Sequence, residues 1–231
     1  MTIKGVLFDF SGTLCRIEPV GDWLDAVLDE AGIRLPDDEL RRYTEELEAT
    51  GALPGGPAPQ QVPPHLAELW ATRDESAERH RAAYTGLSRQ VALPDPALHD
   101  ALYDRHRTPA AWHPYPDAAE VLSGLRGRGI STGLISNIGW DPRPVLDAHG
   151  IGAHLDAAVL SYEHEIQKPD PRLFRIACEA IGHDPRDVLM VGDDRSADGG
   201  ALDVGCAVHF VDHVPVADRP DGLRPVLDLV G

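Results

Sequence analysis

The chain has 231 residues, 42% hydrophobic and 26% charged, and its 38 carboxylates against 21 lysines and arginines give a formal charge of −17. This excludes disorder as the main state and suits one domain or a core with a small insert, while the acidic balance excludes a basic face for nucleic acid. No apolar run approaches the ~20 residues of a membrane span, and no leader-like segment opens the chain, so no membrane partner and a cytoplasmic location are expected.

The first apolar run, 3–8, is rich in strand formers and closes on Asp9-Phe10-Ser11-Gly12-Thr13, which reads as a buried strand entering a loop. From about 16 to 107 no strand-like run appears. Leu24, Val27, Leu28 and Ala31 share a helical face that ends at Gly32, and Leu40, Tyr43 and Leu47 mark a second helix. The Pro- and Gly-rich stretch near 54–64 cannot be helix interior. Leu66, Leu69, Trp70, Ala77 and Tyr84 predict one long helix after it, and Leu98, Leu102 and His106 one more. Trp23, Tyr43 and Trp70 are expected in the core of this helical region.

Strand and helix then alternate. A helix over 116–128 precedes a strand over 130–136, and Asp141-Pro142 opens a helix that should stop at Gly150. A strand over 157–161 follows. Asp170-Pro171 repeats the helix start, with Leu173, Phe174, Ala177, Cys178 and Ile181 at helical spacing and Gly182 as terminator. Strands over 188–192 and 206–211 close the series. Such alternation is the signature of a parallel sheet wrapped by helices, an α/β fold. The three cysteines, Cys15, Cys178 and Cys206, form neither a disulfide framework nor a zinc pattern and read as small core residues in a reducing compartment.

Ligands of an open parallel sheet bind beyond the carboxyl ends of its strands. Asp9, Ser136-Asn137 and Asp193-Asp194 stand there, and Lys168-Pro169 lies just before the Asp170-Pro171 helix. Lysine occurs only at positions 4 and 168, against nineteen arginines, so a lysine here is a rare event. In order, Asp9-Phe10-Ser11-Gly12-Thr13, Ser136, Lys168-Pro169-Asp170-Pro171 and Gly192-Asp193-Asp194 through Asp198 resemble the four motifs of the haloacid dehalogenase-like (HAD) hydrolase superfamily.

The resemblance implies a Rossmann-like sheet of strand order 3-2-1-4-5, with a core of residues 1–15 and 108–231 and a helical type 1 cap over 16–107. It implies Asp9 as a nucleophile that takes up a phosphoryl group. It implies Mg²⁺ held by hard oxygens from Asp9, the Ser11 backbone carbonyl, Asp193 and Asp194, with Asp198 supporting the shell. Ser136 would bond a phosphoryl oxygen, and Lys168 would neutralise the nucleophile and the transferring group. Gly12 and Thr13 would shape a loop whose N–H groups cradle the phosphate, with Asn137 beside them.

The pattern breaks at Ser11. Family phosphatases carry there an Asp that protonates the leaving group, a contribution of ~10²–10⁴ in rate that serine cannot supply. The expected function is therefore an Mg²⁺-dependent phosphatase of a small phosphorylated metabolite, slow or confined to good leaving groups such as acyl phosphates. A non-catalytic phosphate- or metal-binding relative and a haloacid-type dehalogenase are the alternatives; dehalogenases carry Tyr at this position and need no metal. Trp140 follows the Ser136 motif and is placed to line the site. A cap arginine, Arg41, Arg42, Arg73 or Arg105 among them, could grip a second anion, although helix-surface pairing is the plainer role for each.

Overall fold

The computed structural model describes residues 2–230. Along the chain run β1 (Gly5–Phe8), β2 (Cys15–Ile17), α1 (Val20–Ala31), α2 (Asp37–Thr50), α3 (Ala67–Ala71), α4 (Ala77–Ser88) and α5 (Leu98–Arg105). Then come β3 (Trp112–Pro114), α6 (Ala118–Gly127), β4 (Ser131–Ser136), α7 (Arg143–Ala148), β5 (Ala157–Leu160), α8 (Ser161–His164), α9 (Pro171–Ala180), β6 (Val188–Gly192), β7 (Ala207–Phe210) and α10 (Val226–Leu229).

Five of these strands form a parallel sheet in the order β5-β4-β1-β6-β7. Counted along the chain, that is the expected 3-2-1-4-5. β1 lies at the centre, with Phe8 opposite Leu134 on one side and Val191 on the other. Every residue of β1 and β6 is buried, which is why they read as unbroken apolar runs rather than alternating ones. Alternate side chains nevertheless serve opposite faces. Val6, Phe8, Leu189 and Val191 pack with Val121, Leu122 and Leu125 of α6 and with Val145 of α7. Leu7, Val188 and Met190 pack with Leu173, Phe174 and Ala177 of α9. Leu173 and Phe174 are fully buried, each contributing about 1.5–3 kcal/mol relative to exposure. Asp170 caps α9 by accepting the Arg172 N–H at 2.8 Å, as its place before Pro171 predicts. All three thiols are free and buried.

Two expectations are corrected. The stretch after residue 16 is not free of strand: β2 pairs antiparallel with β3, Ile17 opposite Trp112. Each strand has only three residues and its partner lies almost a hundred residues away, so neither carries a periodic signal. The long helix expected from Leu66 to Tyr84 is broken into a 3₁₀ turn at Pro64–Leu66, α3, a second 3₁₀ turn at Arg73–Glu75, and α4. Ser76 is extended and caps α4 by accepting the Arg79 N–H at 3.1 Å. The break has a packing reason: the Asp74 carbonyl accepts the Ser161 hydroxyl at 2.6 Å, and the Ala71 carbonyl accepts from Gln167 at 2.7 Å. The kinked segment thus meets the loops at the strand ends. Among the described residues, no helix is long and apolar enough to cross a membrane.

Candidate active site

Asp9 extends β1 by donating its N–H to the Val191 carbonyl at 3.0 Å, so the sheet itself aims the carboxylate. The loop beyond is a tight turn in which Leu14 and Cys15 both donate to the Phe10 carbonyl. Gly12 sits there at φ +80, and a Cβ on it would lie 2.3 Å from His213 Nδ1 and 2.4 Å from Asp193 Oδ2. Only glycine fits both the backbone and the approach.

Lys168 reaches the same place from the other side. Its Nζ donates to Asp9 Oδ1 at 2.8 Å, to Asp198 Oδ1 at 2.6 Å and to the Ile135 carbonyl at 3.2 Å. Oxygens of Asp9, Asp193 and Asp198 all lie within 4.8 Å of one another. Burial pushes the Asp9 carboxyl up to about 7; Lys168 opposes this, and Asp198 and Asp193 add to it. Burial alone would lower the Lys168 ammonium, but Asp198 and Asp9 outweigh it and hold the pKa above its ordinary value. Burial likewise raises Asp198 against the pull of Lys168. For Asp193, burial is outweighed by His213 and by the Thr13 hydroxyl, which hold it below the usual carboxylate range.

A cavity of about 280 Å³ opens over these groups, and Asp9, Ser11, Ser136, Asn137, Lys168, Asp193 and Asp194 all line it. Several of them hold one another rather than point outward. Asn137, expected to bind substrate, spends its amide on Lys168: Nδ2 donates to the Lys168 carbonyl at 2.9 Å and Oδ1 accepts the Lys168 N–H at 2.6 Å. Thr13, expected beside the phosphate, is fully buried, and its hydroxyl donates to Asp193 Oδ1 at 3.0 Å. Asp194, expected as a metal ligand, lines the cavity while its Oδ1 accepts the N–H groups of Ser196 at 2.7 Å and Ala197 at 3.0 Å. Asp198 has both oxygens engaged, one by Lys168 and the other by the Asp194 N–H at 3.0 Å. Ser136 is 3% exposed at the end of β4, and the Ser11 hydroxyl is buried without a partner.

Aromatic rings make up much of the remaining wall. Phe10 packs against Trp112 at 4.5 Å and Trp140 at 6.0 Å between ring centroids. Trp140 lines the cavity as its position suggests. Trp70 does so too, although the sequence places it in the helical core; Trp23 and Tyr43 are buried there as expected. Arg73 stacks on Trp70 at 4.0 Å and approaches Asp74 at 3.4 Å.

A family model described as haloacid dehalogenase-like hydrolase matches residues 3–202. The chain belongs to that family. It is 35% identical to a phosphoserine phosphatase from Thermus thermophilus over 69% of this chain and 66% of that one. It is 33% identical to the (S)-2-haloacid dehalogenase 4A from Burkholderia cepacia over 58% of this chain and 55% of that one. The chain thus matches between about half and two thirds of the length of these relatives. A HAD phosphatase structure from Thermococcus onnurineus superposes with a TM-score of 0.58 at 25% identity, covering 91% of this chain and 86% of that one.

Two residues at this HAD-like site escape the motif pattern. His213 Nδ1 pairs with Asp193 Oδ2, and its Nε2 meets Arg16. A signal was present, because His213 lies just past the expected strand over 206–211, at a carboxyl end like the others. Arg219 donates to the carbonyls of Gly12 and Thr13, and no local pattern announces it.

Proposed function

We propose that this chain is an Mg²⁺-dependent phosphohydrolase that transfers the phosphoryl group of a small metabolite to Asp9 and then to water. The observation that supports it is a charge mismatch: three carboxylates, Asp9, Asp193 and Asp198, cluster around the single ammonium of Lys168. A cation would let all three remain ionised. The donors suit a hard ion. Asp9 and Asp193 offer carboxylates, and the Ser11 carbonyl accepts no hydrogen bond among the described residues. Asp198, already committed on both oxygens, supports Lys168 instead. When bound, Mg²⁺ would offset charge on the phosphoryl oxygens and favour ionised Asp9.

Asp9 attacks phosphorus as the bond to the leaving oxygen breaks, giving an aspartyl phosphate; water then displaces the carboxylate and releases phosphate. Lys168 holds Asp9 in place and neutralises it. Ser136, which lines the cavity at the end of β4, would donate its hydroxyl to a phosphoryl oxygen. Ser11 offers no proton of useful acidity, so the leaving group must depart largely unaided. Acyl phosphates satisfy that. The formal charge of −17 disfavours nucleic acid as the substrate, and three free thiols suit a cytoplasmic setting.

The test is phosphate release from acetyl phosphate and p-nitrophenyl phosphate, with Mg²⁺ and with chelator, for wild type and Asp9→Asn. Turnover that requires both Asp9 and Mg²⁺, and that prefers acetyl phosphate, is expected. Halide release from 2-haloacids that persists in chelator would replace this reading with the dehalogenase one. Silence on every substrate would replace it with a binding role.

A further inference from the structure

Residue 219 is tied to the loop after Asp9 across more than two hundred positions of chain. Arg219 is 5% exposed, and its Nη1 donates to the Gly12 carbonyl at 2.6 Å and to the Asp212 carbonyl at 2.8 Å. Its Nη2 donates to the Thr13 carbonyl. The guanidinium lies 3.2 Å from the centroid of the Tyr115 ring, and the Tyr115 hydroxyl donates to the Val214 carbonyl at 2.6 Å. A planar fork on an aromatic face thus grips two successive peptide units of the nucleophile loop.

Within the loop, Gly12 to Cys15, Leu14 to Phe10 and Cys15 to Phe10 give the turn its shape, and at its far end the Leu14 carbonyl accepts the Tyr115 N–H at 3.0 Å. Arg219 is the group that holds the carbonyls of Gly12 and Thr13, between those ends. A carbonyl and the following N–H point opposite ways across a planar peptide. Holding the Gly12 carbonyl therefore turns the Thr13 N–H away from the guanidinium, and among the described residues that N–H has no acceptor. The same residue's hydroxyl braces Asp193. Position 219 lies beyond the 3–202 stretch matched by the family model.

We propose that Arg219 is a positioning residue of the hydrolytic site: by holding the carbonyls of Gly12 and Thr13, it sets the loop after Asp9 in the arrangement that receives the phosphoryl group. The inference rests on the phosphohydrolase reading above. It concerns the chemical step rather than substrate affinity, so its signature is a loss of kcat with KM little changed.

The experiment compares wild type, Arg219→Met, Arg219→Lys and Arg219→Ala on acetyl phosphate with Mg²⁺, with rates corrected for folded fraction by thermal melts. Orthovanadate binding to wild type and Arg219→Met is measured in parallel. Arg219→Met should lower kcat by about 100-fold, the scale of a small misplacement of reacting groups, with KM within a few-fold. Arg219→Lys, one point charge where two carbonyls need a fork, should fall by about tenfold. Methylguanidinium should restore part of the kcat of Arg219→Ala, and orthovanadate should bind Arg219→Met more weakly than wild type. An unchanged kcat per folded molecule in Arg219→Met overturns the proposal. If that variant does not fold, an Arg219→Lys kcat equal to wild type overturns it instead. A wild type that neither turns over nor binds orthovanadate removes the phosphohydrolase reading and this proposal together, whereas an active wild type matched by its variants removes this proposal alone.

Discussion

The two walls of the cavity are built on opposite principles. The wall at the strand ends is charged: Asp9, Lys168, Asp193 and Asp198 meet within a few ångströms, and each is positioned by backbone or by a neighbour that does little else. The wall from the helical segment is mostly rings: His80, Tyr84 and Trp70 line it, with one ion pair, Arg73 and Asp74, among them, and burial holds His80 well below the ordinary histidine pKa. A buried charge is stable only with its partner in place, whereas a buried ring tolerates exchange at modest cost. The strand-end wall should therefore tolerate substitution less than the rings that face it.

Removing the one ammonium tests the charged wall most severely. Lys168→Met should lose about 3–5 kcal/mol of stability, because Asp198 and Asp9 are left buried and unpaired. Phosphate release should fall as well, since the ammonium that opposes the upward pull of burial on the Asp9 carboxyl is then gone. Urea unfolding together with the phosphate assay reads both effects; a variant as stable as wild type would show that the cluster does not depend on its cation. Ser11→Asp supplies the missing acid, and should raise turnover of p-nitrophenyl phosphate and simple alkyl phosphates by about 10²-fold while changing acetyl phosphate little. Equal effects on both substrate classes would break the leaving-group argument.

His106, which packs behind that wall against His80 and Trp140, predicts a pH response. Burial holds the His106 imidazole down at about 3, against 6.5 when exposed, and its Nε2 has no partner. The unfolded chain binds a proton near 6.5 that the folded chain refuses until about 3. Stability from this group is thus complete above pH 6.5 and is lost as pH falls toward 3, by roughly 2 kcal/mol at pH 5. His106→Phe should narrow the gap between melting temperatures at pH 7 and pH 5. An unchanged gap would mean that other groups carry the acid response. The smallest effect belongs to Asp194→Ala: with its carboxylate capping Ser196 and Ala197, turnover should change by less than about threefold, whereas Asp193→Ala should abolish the Mg²⁺ requirement together with most of the activity.

The sheet was legible because its strands are buried on both faces and so appear as unbroken apolar runs ending in polar residues. The positions of Asp9, Ser136 and Asp193 could be read from those endings, and that of Lys168 from the helix start that follows it. Their partners could not. Asn137 looks like a substrate ligand until its amide is seen closing on Lys168, and Asp194 looks like Asp193 until its side chain caps a turn. Spacing gives the address of a side chain but not its direction. The kink at Arg73–Glu75 was hidden for a related reason, since the apolar spacing continues across it while docking to Ser161 and Gln167 breaks the backbone. Arg219 offers no pattern at all, because its reason for being there lies at the other end of the chain.

That distance has a bearing on synthesis. A chain leaves the ribosome from its first residues onward, and the loop of residues 10–14 emerges early, before any of its sheet neighbours. It can fold its own turn at once, but the guanidinium that anchors it arrives 207 residues later. The oldest loop in the nascent chain is therefore among the last parts to be completed, and a ribosome-bound chain stalled before Arg219 carries that loop without its guanidinium clamp.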